Sequence, residues 1–159
     1  MDLRWLVFVH VLSALLFMLA HGVQVTVSWK KRWEPDPVRH LALFEALPDV
    51  RWLRYTLLGV VASGFLMVAL LNIWTRAWIW GSLAVLGVIW LLMYRWGADY
   101  YNSTEQMAEA LMAAAGTDAE PAARKAFDSA RLSWLVPAMT AVGIGGVGIV
   151  LWLMVFRPG

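Results

Sequence analysis

Four long apolar runs place the strongest constraint on what this chain can fold into. They cover about residues 5–27, 55–72, 77–94 and 133–156 of a chain of 159 residues. A helix needs about 20 apolar residues to cross roughly 30 Å of hydrocarbon. The sequence therefore predicts an all-α protein, a four-transmembrane-helix bundle with short interfacial and cytoplasmic helices. We expect residues 1–159 to form a single integral membrane domain.

The first run is expected to be a retained span and not a signal peptide. Its apolar stretch of about 23 residues exceeds the ~7–15 that is usual for a signal peptide. It is followed directly by the basic cluster Lys30–Arg32, which is typical of a stop-transfer signal. We therefore expect the basic cluster to lie outside the membrane.

Two connections between the spans carry helix signals. Asp36 is a good N-cap and Pro37 a good first helical residue, which predicts an interfacial helix over about 37–46. His40 lies in this predicted helix, and we expect it to be a surface histidine.

A cytoplasmic helical segment is predicted over about 103–132. Ser103–Gln106 fits a capping box, which predicts a helix start, and Gly116 is a natural helix stop. Thr117–Glu120 is a second capping box, and the helix that follows it is expected to continue into the fourth span.

The distribution of Lys and Arg predicts the orientation. Residues 28–54 and 95–132 hold ten of the 13 basic residues, and the opposite side holds Arg4, Arg76 and Arg157. Positively charged loops stay in the cytoplasm. We therefore expect both large connections in the cytoplasm, both termini outside, and residence in the inner membrane of a bacterium.

Small residues indicate close helix packing in two spans. Gly59 and Ser63 are four residues apart, a spacing that lets two helix backbones approach. Close approach of a neighbouring helix is also expected over two turns of the fourth span, which carry Gly143, Gly145, Gly146 and Gly148. The alternative for this glycine stretch is a smooth wall against a flat ligand.

Several classes of function are disfavoured. The chain has no cysteine, which excludes disulfides, thiolate metal sites and iron–sulfur clusters. No Asp or Glu lies deep in a span, which argues against transport driven by an ion gradient. No common catalytic motif is present, and no basic stripe interleaved with aromatic residues indicates nucleic acid.

The first span carries one polar stripe with two imidazole rings. At 100° per residue, His10, Ser13, His21, Gln24 and Ser28 fall on one helix face. Polar groups in hydrocarbon usually face a bundle interior, a cavity or a cofactor. Neutral imidazole is a ligand for haem iron, copper or zinc. The alternative is that both rings only form hydrogen bonds with Ser, Thr or Asn on neighbouring helices.

Two separate ligand sites are more compatible with this stripe than one. His10 and His21 are roughly 16 Å apart along a helix, which is too far for one metal ion. No other span contains a histidine, so methionine is the next candidate for a second axial ligand. Met67 is expected near the level of His10, and Met93 and Met139 nearer to His21. Core packing and a dimer that pairs histidines from two chains are the alternatives.

The first span, HVLSALLFMLAHG, resembles the opening helix of the copper-resistance protein D superfamily. This group includes protoporphyrinogen-oxidase-like and uncharacterised integral membrane proteins. The resemblance lies in a His followed by an aromatic residue and a small residue, here His10, Phe17 and Ala20. It implies a small four-helix membrane protein with a His-bearing first helix, in a group associated with haem or copper.

Three functions follow from the sequence as hypotheses. The leading one is a redox-metal role in which haem b binds against the first helix for electron transfer. The second is a structural or accessory subunit of a larger membrane complex, without its own cofactor. The third is copper transport or handling. The expected partners are the lipid bilayer and either a second copy or a larger membrane complex, and whether the protein is an enzyme is left open.

Overall fold

The computed structural model describes residues 2–158, apart from the side chain of Val50, and this part of the chain contains six helices and no strand. The helices are α1 (Leu3–Trp33), α2 (Pro37–Glu45), α3 (Val50–Leu71), α4 (Ala77–Ala113), α5 (Glu120–Arg131) and α6 (Leu135–Phe156).

Four segments are long and apolar enough to cross a membrane. They are α1, α3 from Arg51, α4, and the segment Glu120–Phe156, which contains α6. The prediction of an all-helical protein with four helices long and apolar enough to span a membrane is confirmed for the described residues. The arrangement of the four spans as one bundle stays a prediction.

The long helices extend beyond their apolar runs. Helix α1 continues through the basic cluster to Trp33, and α4 continues without interruption to Ala113. The predicted helix start at Ser103 is therefore wrong. The hydroxyls of Ser103 and Thr104 donate to the carbonyl of Tyr100 at 3.1 and 2.9 Å, a bond available inside a helix.

The fourth span is separated from the helix before it, where we expected continuity. Helix α5 ends at Arg131 and α6 begins at Leu135, so residues 132–134 interrupt the chain between them. The predicted stop at Gly116 is confirmed, since this residue has a φ of 74° just after α4, a backbone conformation that favours glycine.

The short helix is confirmed together with its cap. An Oδ1 atom of Asp36 accepts a hydrogen bond of 3.0 Å from the amide of Val38, and Pro37 is the first helical residue. Asp49 caps α3 in the same way, accepting from the amide of Arg51 at 2.8 Å. Each cap is worth about 1 kcal/mol because it satisfies an amide that has no partner within the helix.

The contacts divide the described chain into two units. Unit 1 consists of the described residues of Met1–Thr26 and of Leu47–Arg76. Unit 2 consists of Val27–Ala46 and of the described residues of Ala77–Gly159. The single-domain assignment stays a prediction.

Packing in unit 2 shows which glycines matter. A Cβ atom on Gly146 of α6 would lie 2.6 Å from Cγ1 of Ile89 on α4, so this glycine permits close approach of the two helices. A Cβ on Gly145 or Gly148 would meet no atom within 4 Å. Close packing is therefore confirmed at Gly146, and the same expectation is wrong at Gly145 and Gly148.

Candidate functional site

His10 lies in unit 1 with one ring nitrogen bound to α3. Its Nδ1 atom is 3.0 Å from the carbonyl oxygen of Val60 and 3.0 Å from Oγ of Ser63. A carbonyl can only accept, so Nδ1 carries the proton and donates it. The hydroxyl of Ser63 donates in turn to the carbonyl of Gly59. In a neutral ring this leaves Nε2 with a free lone pair.

Small residues on α3 make room for this contact. A Cβ atom on Gly64 would lie 3.4 Å from Cε1 of His10, and one on Gly59 would lie 2.6 Å from Oγ of Ser13. The close approach predicted from the spacing of Gly59 and Ser63 is therefore confirmed, with α1 as the partner helix.

Met67 lies one turn beyond Ser63 on α3, on the helix face that also carries Val60 and Gly64. It is half-buried. Met67 and His10, which we predicted to pair, therefore lie in the same unit. The role of Met67 as a ligand stays a prediction.

His21 differs from His10 in its hydrogen bonding. Its Nε2 atom is buried and has no hydrogen-bond partner within residues 2–158. The ring stacks on Phe17, one turn earlier in α1, with centroids 5.9 Å apart and an interplanar angle of 8°. The alternative of a ring fully satisfied by neighbouring helices therefore does not hold at this nitrogen.

Met93 and Met139 lie in unit 2. Met139 belongs to a buried cluster with Tyr100 and Val136, and Met93 packs against that cluster. Core packing accounts for these contacts. The predicted partnership of the two methionines with His21 stays a prediction. Among the described residues, no group of three or more His, Cys, Asp or Glu side chains is placed to hold a metal ion.

A second candidate site, which we did not predict, surrounds Lys31 in unit 2. Lys31 has no exposed surface, and its Nζ atom has no hydrogen-bond partner in the described part of the chain. The ammonium group lies over the ring of Phe44, with the centroids of Tyr101 and Tyr100 at 5.0 and 6.0 Å. Lys31 is buried because α2 covers this side of α1, and the prediction that the basic cluster lies outside the membrane stays a prediction.

His40 is also fully buried, which corrects its assignment as a surface histidine. Its Nδ1–H donates to the carbonyl of Lys31 at 3.0 Å, and its Nε2 atom is buried without a partner among the described residues. The ring meets that of Phe127 edge-on at 5.1 Å. The pKa of His40 is lowered to about 4. Burial is the largest cause, and the nearby charge of Lys31 contributes to the same shift.

Three arginines bind backbone carbonyl groups around this second site. Arg32 donates to the carbonyl of Ser133. Arg131 donates to the carbonyl of Arg32 at 3.0 Å and pairs with Asp128 at 2.7 Å. Arg124 donates to the carbonyl of Pro35 at 2.8 Å. These bonds fix the end of α1 and the turn into α2 against α5.

A local signal could have indicated the second site. Two prolines, Pro35 and Pro37, separate α2 from α1, and His40 follows Lys31 by nine residues. A second helix that follows so short a connection can fold back and cover the side chains in the last turn of α1.

Comparison with known proteins gives no relative. No protein-family model, curated protein or solved structure matches this chain. The functional conclusion therefore depends on the residues and their contacts.

Proposed function

We propose that this is a small integral membrane protein with a redox-metal role, in which His10 binds haem b for electron transfer. The observation that supports the proposal is the hydrogen bonding of the ring. A histidine that ligates a metal nearly always donates its other ring N–H to a carbonyl, a carboxylate or water. His10 donates Nδ1–H to α3 and retains the lone pair of Nε2.

The surrounding residues fit one axial ligand of a haem. Val60 and Ser63 fix the tautomer and the orientation of the ring, and Gly64 leaves it the space it occupies. Met67 is the candidate for the second ligand, because a thioether paired with an imidazole is an established haem ligation. Haem b supplies one-electron transfer when bound.

His21 is the candidate for a second site at a different depth. Its buried Nε2 atom lacks a hydrogen-bond partner in the described chain, which is costly unless something else satisfies it. Met93 and Met139 are its proposed sulfur ligands, and copper is the alternative metal. A homodimer that brings two first spans together is the alternative source of a second imidazole.

The proposed setting is the inner membrane of a bacterium, with the four spans in one bundle and both termini outside. The large basic connections are then cytoplasmic. This orientation is supported by the distribution of Lys and Arg between the two sides.

The visible spectrum of the purified protein tests the haem proposal. Wild type should show a Soret band and reduced α and β bands, with the haem quantified against protein. His10→Ala should lose the site, and Met67→Ala should weaken it and shift the reduced spectrum.

His10→Asn separates ligation from packing. The asparagine amide can still donate to the carbonyl of Val60, but it has no imidazole nitrogen for iron. We expect His10→Asn to keep most of the wild-type thermal stability and to lose the haem. If His10→Asn retains the haem with an unchanged spectrum, His10 is not the ligand.

An accessory subunit is the second candidate function, and the same contacts of His10 favour it. A ring that donates to Val60 and Ser63 also clamps α1 to α3, with a net worth of about 1 kcal/mol. On this view the protein purifies without haem, reconstitution does not load it, and His10→Ala loses only stability. Metal analysis of the same preparation tests copper handling, the third candidate.

A further inference from the structure

Within unit 2, helix α2 covers residues of α1, α4 and α5. Phe44 lies against the ammonium group of Lys31, and His40 donates to the Lys31 carbonyl. Leu41 packs against a buried apolar cluster formed by Ala108, Leu111 and Phe127. At the start of the cover, Arg124 donates to the carbonyl of Pro35. The cover therefore depends on a few contacts, and His40 lies in the middle of them.

The surroundings of His40 offer no hydrogen-bond acceptor for a second N–H group in the described chain. Nδ1–H is already used, and Nε2 faces no acceptor in the described chain. The ring lies against the phenyl rings of Phe127 and Phe44. An imidazolium there would have a buried N–H without a partner, which costs much more than in water.

The charges around His40 come from every neighbouring element. Lys31 on α1 and Arg131 on α5 disfavour its protonation, and Glu34 in the turn before α2 favours it. On α4, the carboxylate of Glu105 interacts electrostatically with Lys31. The hydroxyl of Tyr100, also on α4, is buried without a hydrogen-bond partner within the described residues. The largest effect on His40 is its burial, so the acidic neighbours do not compensate for the loss of water.

We propose that α2 is an acid-released strap: protonation of His40 undocks α2 from the rest of unit 2 and uncovers Lys31 and the apolar cluster beneath Leu41. A second proton on the ring destabilises the docked position, because the buried Nε2–H has no acceptor there. When α2 is undocked, Nε2–H donates to water. The strap closes again when the ring is neutral. This inference does not depend on haem binding, because His40 and His10 lie in different units.

The linkage between proton binding and docking sets the direction and size of the effect. His40 has a pKa of about 4 when docked and should return to about 6.5 when α2 is free. The free state therefore binds more protons between these values, and docking is strongest above pH 6.5 and is lost as the pH falls towards 4. From pH 7.5 to pH 5, the ratio of open to docked protein should rise about 30-fold.

The chain has no cysteine, so a single introduced thiol can report on the strap. Leu111→Cys places the thiol in the apolar cluster under α2, where the native side chain is buried. Ala110→Cys places it at the next residue, which is exposed, as the matched control. The ratio of the two labelling rates in the full-length protein in detergent cancels the pH dependence of the thiol chemistry.

We expect the rate at position 111 relative to that at position 110 to rise about 30-fold between pH 7.5 and pH 5, under conditions where opening is faster than labelling. His40→Asn retains a donor for the Lys31 carbonyl but does not titrate, so the rise in its ratio should be much smaller than in wild type. A flat ratio with His40 present, or an equal rise with His40→Asn, would overturn the proposal. If position 111 already labels as fast as position 110 at pH 7.5, α2 does not cover the cluster and the proposal is wrong.

Hydrogen exchange provides the measurement that needs no cysteine. After correction for intrinsic exchange rates, the amides of α2 should lose protection between pH 7.5 and pH 5 in wild type and lose much less of it in His40→Asn. The amides of α6 are the internal control and should show no such change.

Discussion

The neighbouring glycines Gly145 and Gly146 on α6 allow a sharp test of the helix packing in unit 2. A Cβ on Gly146 would lie 2.6 Å from Cγ1 of Ile89, about 1 Å inside the favourable carbon–carbon separation of ~3.5–4.0 Å. A Cβ on Gly145 would meet nothing within 4 Å. Gly146→Leu should therefore be destabilising, and Gly145→Leu should not.

The magnitude follows from two terms. Overpacking a close contact costs about 1–3 kcal/mol, or more when a whole leucine has to be accommodated. Replacing glycine inside a helix gains up to about 1 kcal/mol, and this gain is common to both variants. The difference between the two variants isolates the overpacking and should be about 1–3 kcal/mol. At ~2–4 °C per kcal/mol, the midpoint of Gly146→Leu should be roughly 2–12 °C below that of Gly145→Leu.

Thermal unfolding followed by circular dichroism, in one detergent, measures this difference. Ile89→Ala in the Gly146→Leu background should recover part of the loss, because it removes the atoms that the new side chain meets. Equal midpoints for Gly145→Leu and Gly146→Leu would refute the reasoning, since they would show that Gly146 and Ile89 do not pack closely.

Two further predictions concern the basic residues. Lys31→Met should leave the thermal midpoint unchanged or raise it, because an apolar chain of similar shape replaces a buried amine that has no hydrogen-bond partner among the described residues. The exposed neighbour variant Lys30→Met is the control. A loss of several degrees for Lys31→Met alone would contradict the placement of Lys31 as a buried amine without a partner among the described residues. Lys125→Cys should resist a membrane-impermeant thiol reagent in intact cells, whereas Arg157→Cys should react with it; the reverse labelling pattern would refute the proposed orientation.

The four long apolar helices could be predicted because each depends on a property that sequence carries directly. A run of apolar residues has to be shielded from water whatever its neighbours are. The helix ends were less predictable. Lys30–Arg32 and Ser103 are polar, but neither polarity nor a capping pattern stops a helix whose hydrogen-bond ladder can continue.

The caps of α2 were predictable, and its docking was not. Asp36 and Pro37 specify a helix start through contacts within a few residues. The burial of His40 and Lys31 depends on where α2 folds back, which is a tertiary property. For the same reason Gly145 and Gly146 are alike in sequence and differ in the structure, since only one of them faces Ile89.

The predicted site shows both the value and the limit of a helical pattern. The stripe on α1 placed His10 on a face that contacts another helix, and that contact is present. The pattern could not name Val60 or Ser63 as the partners, because facing residues on two helices are unrelated in sequence. Nor could it show that His21 would stack on Phe17 and keep an unpartnered nitrogen in the described chain.

The measurement that tests the central proposal most directly is the reduced-minus-oxidised absorption spectrum of the purified protein, recorded for wild type, His10→Asn and His40→Asn. We predict a haem b spectrum in wild type and in His40→Asn, and its loss in a folded His10→Asn. A wild-type protein that stays free of haem after expression with a haem precursor and after reconstitution, or a His10→Asn variant with an unchanged haem spectrum, would contradict the proposal.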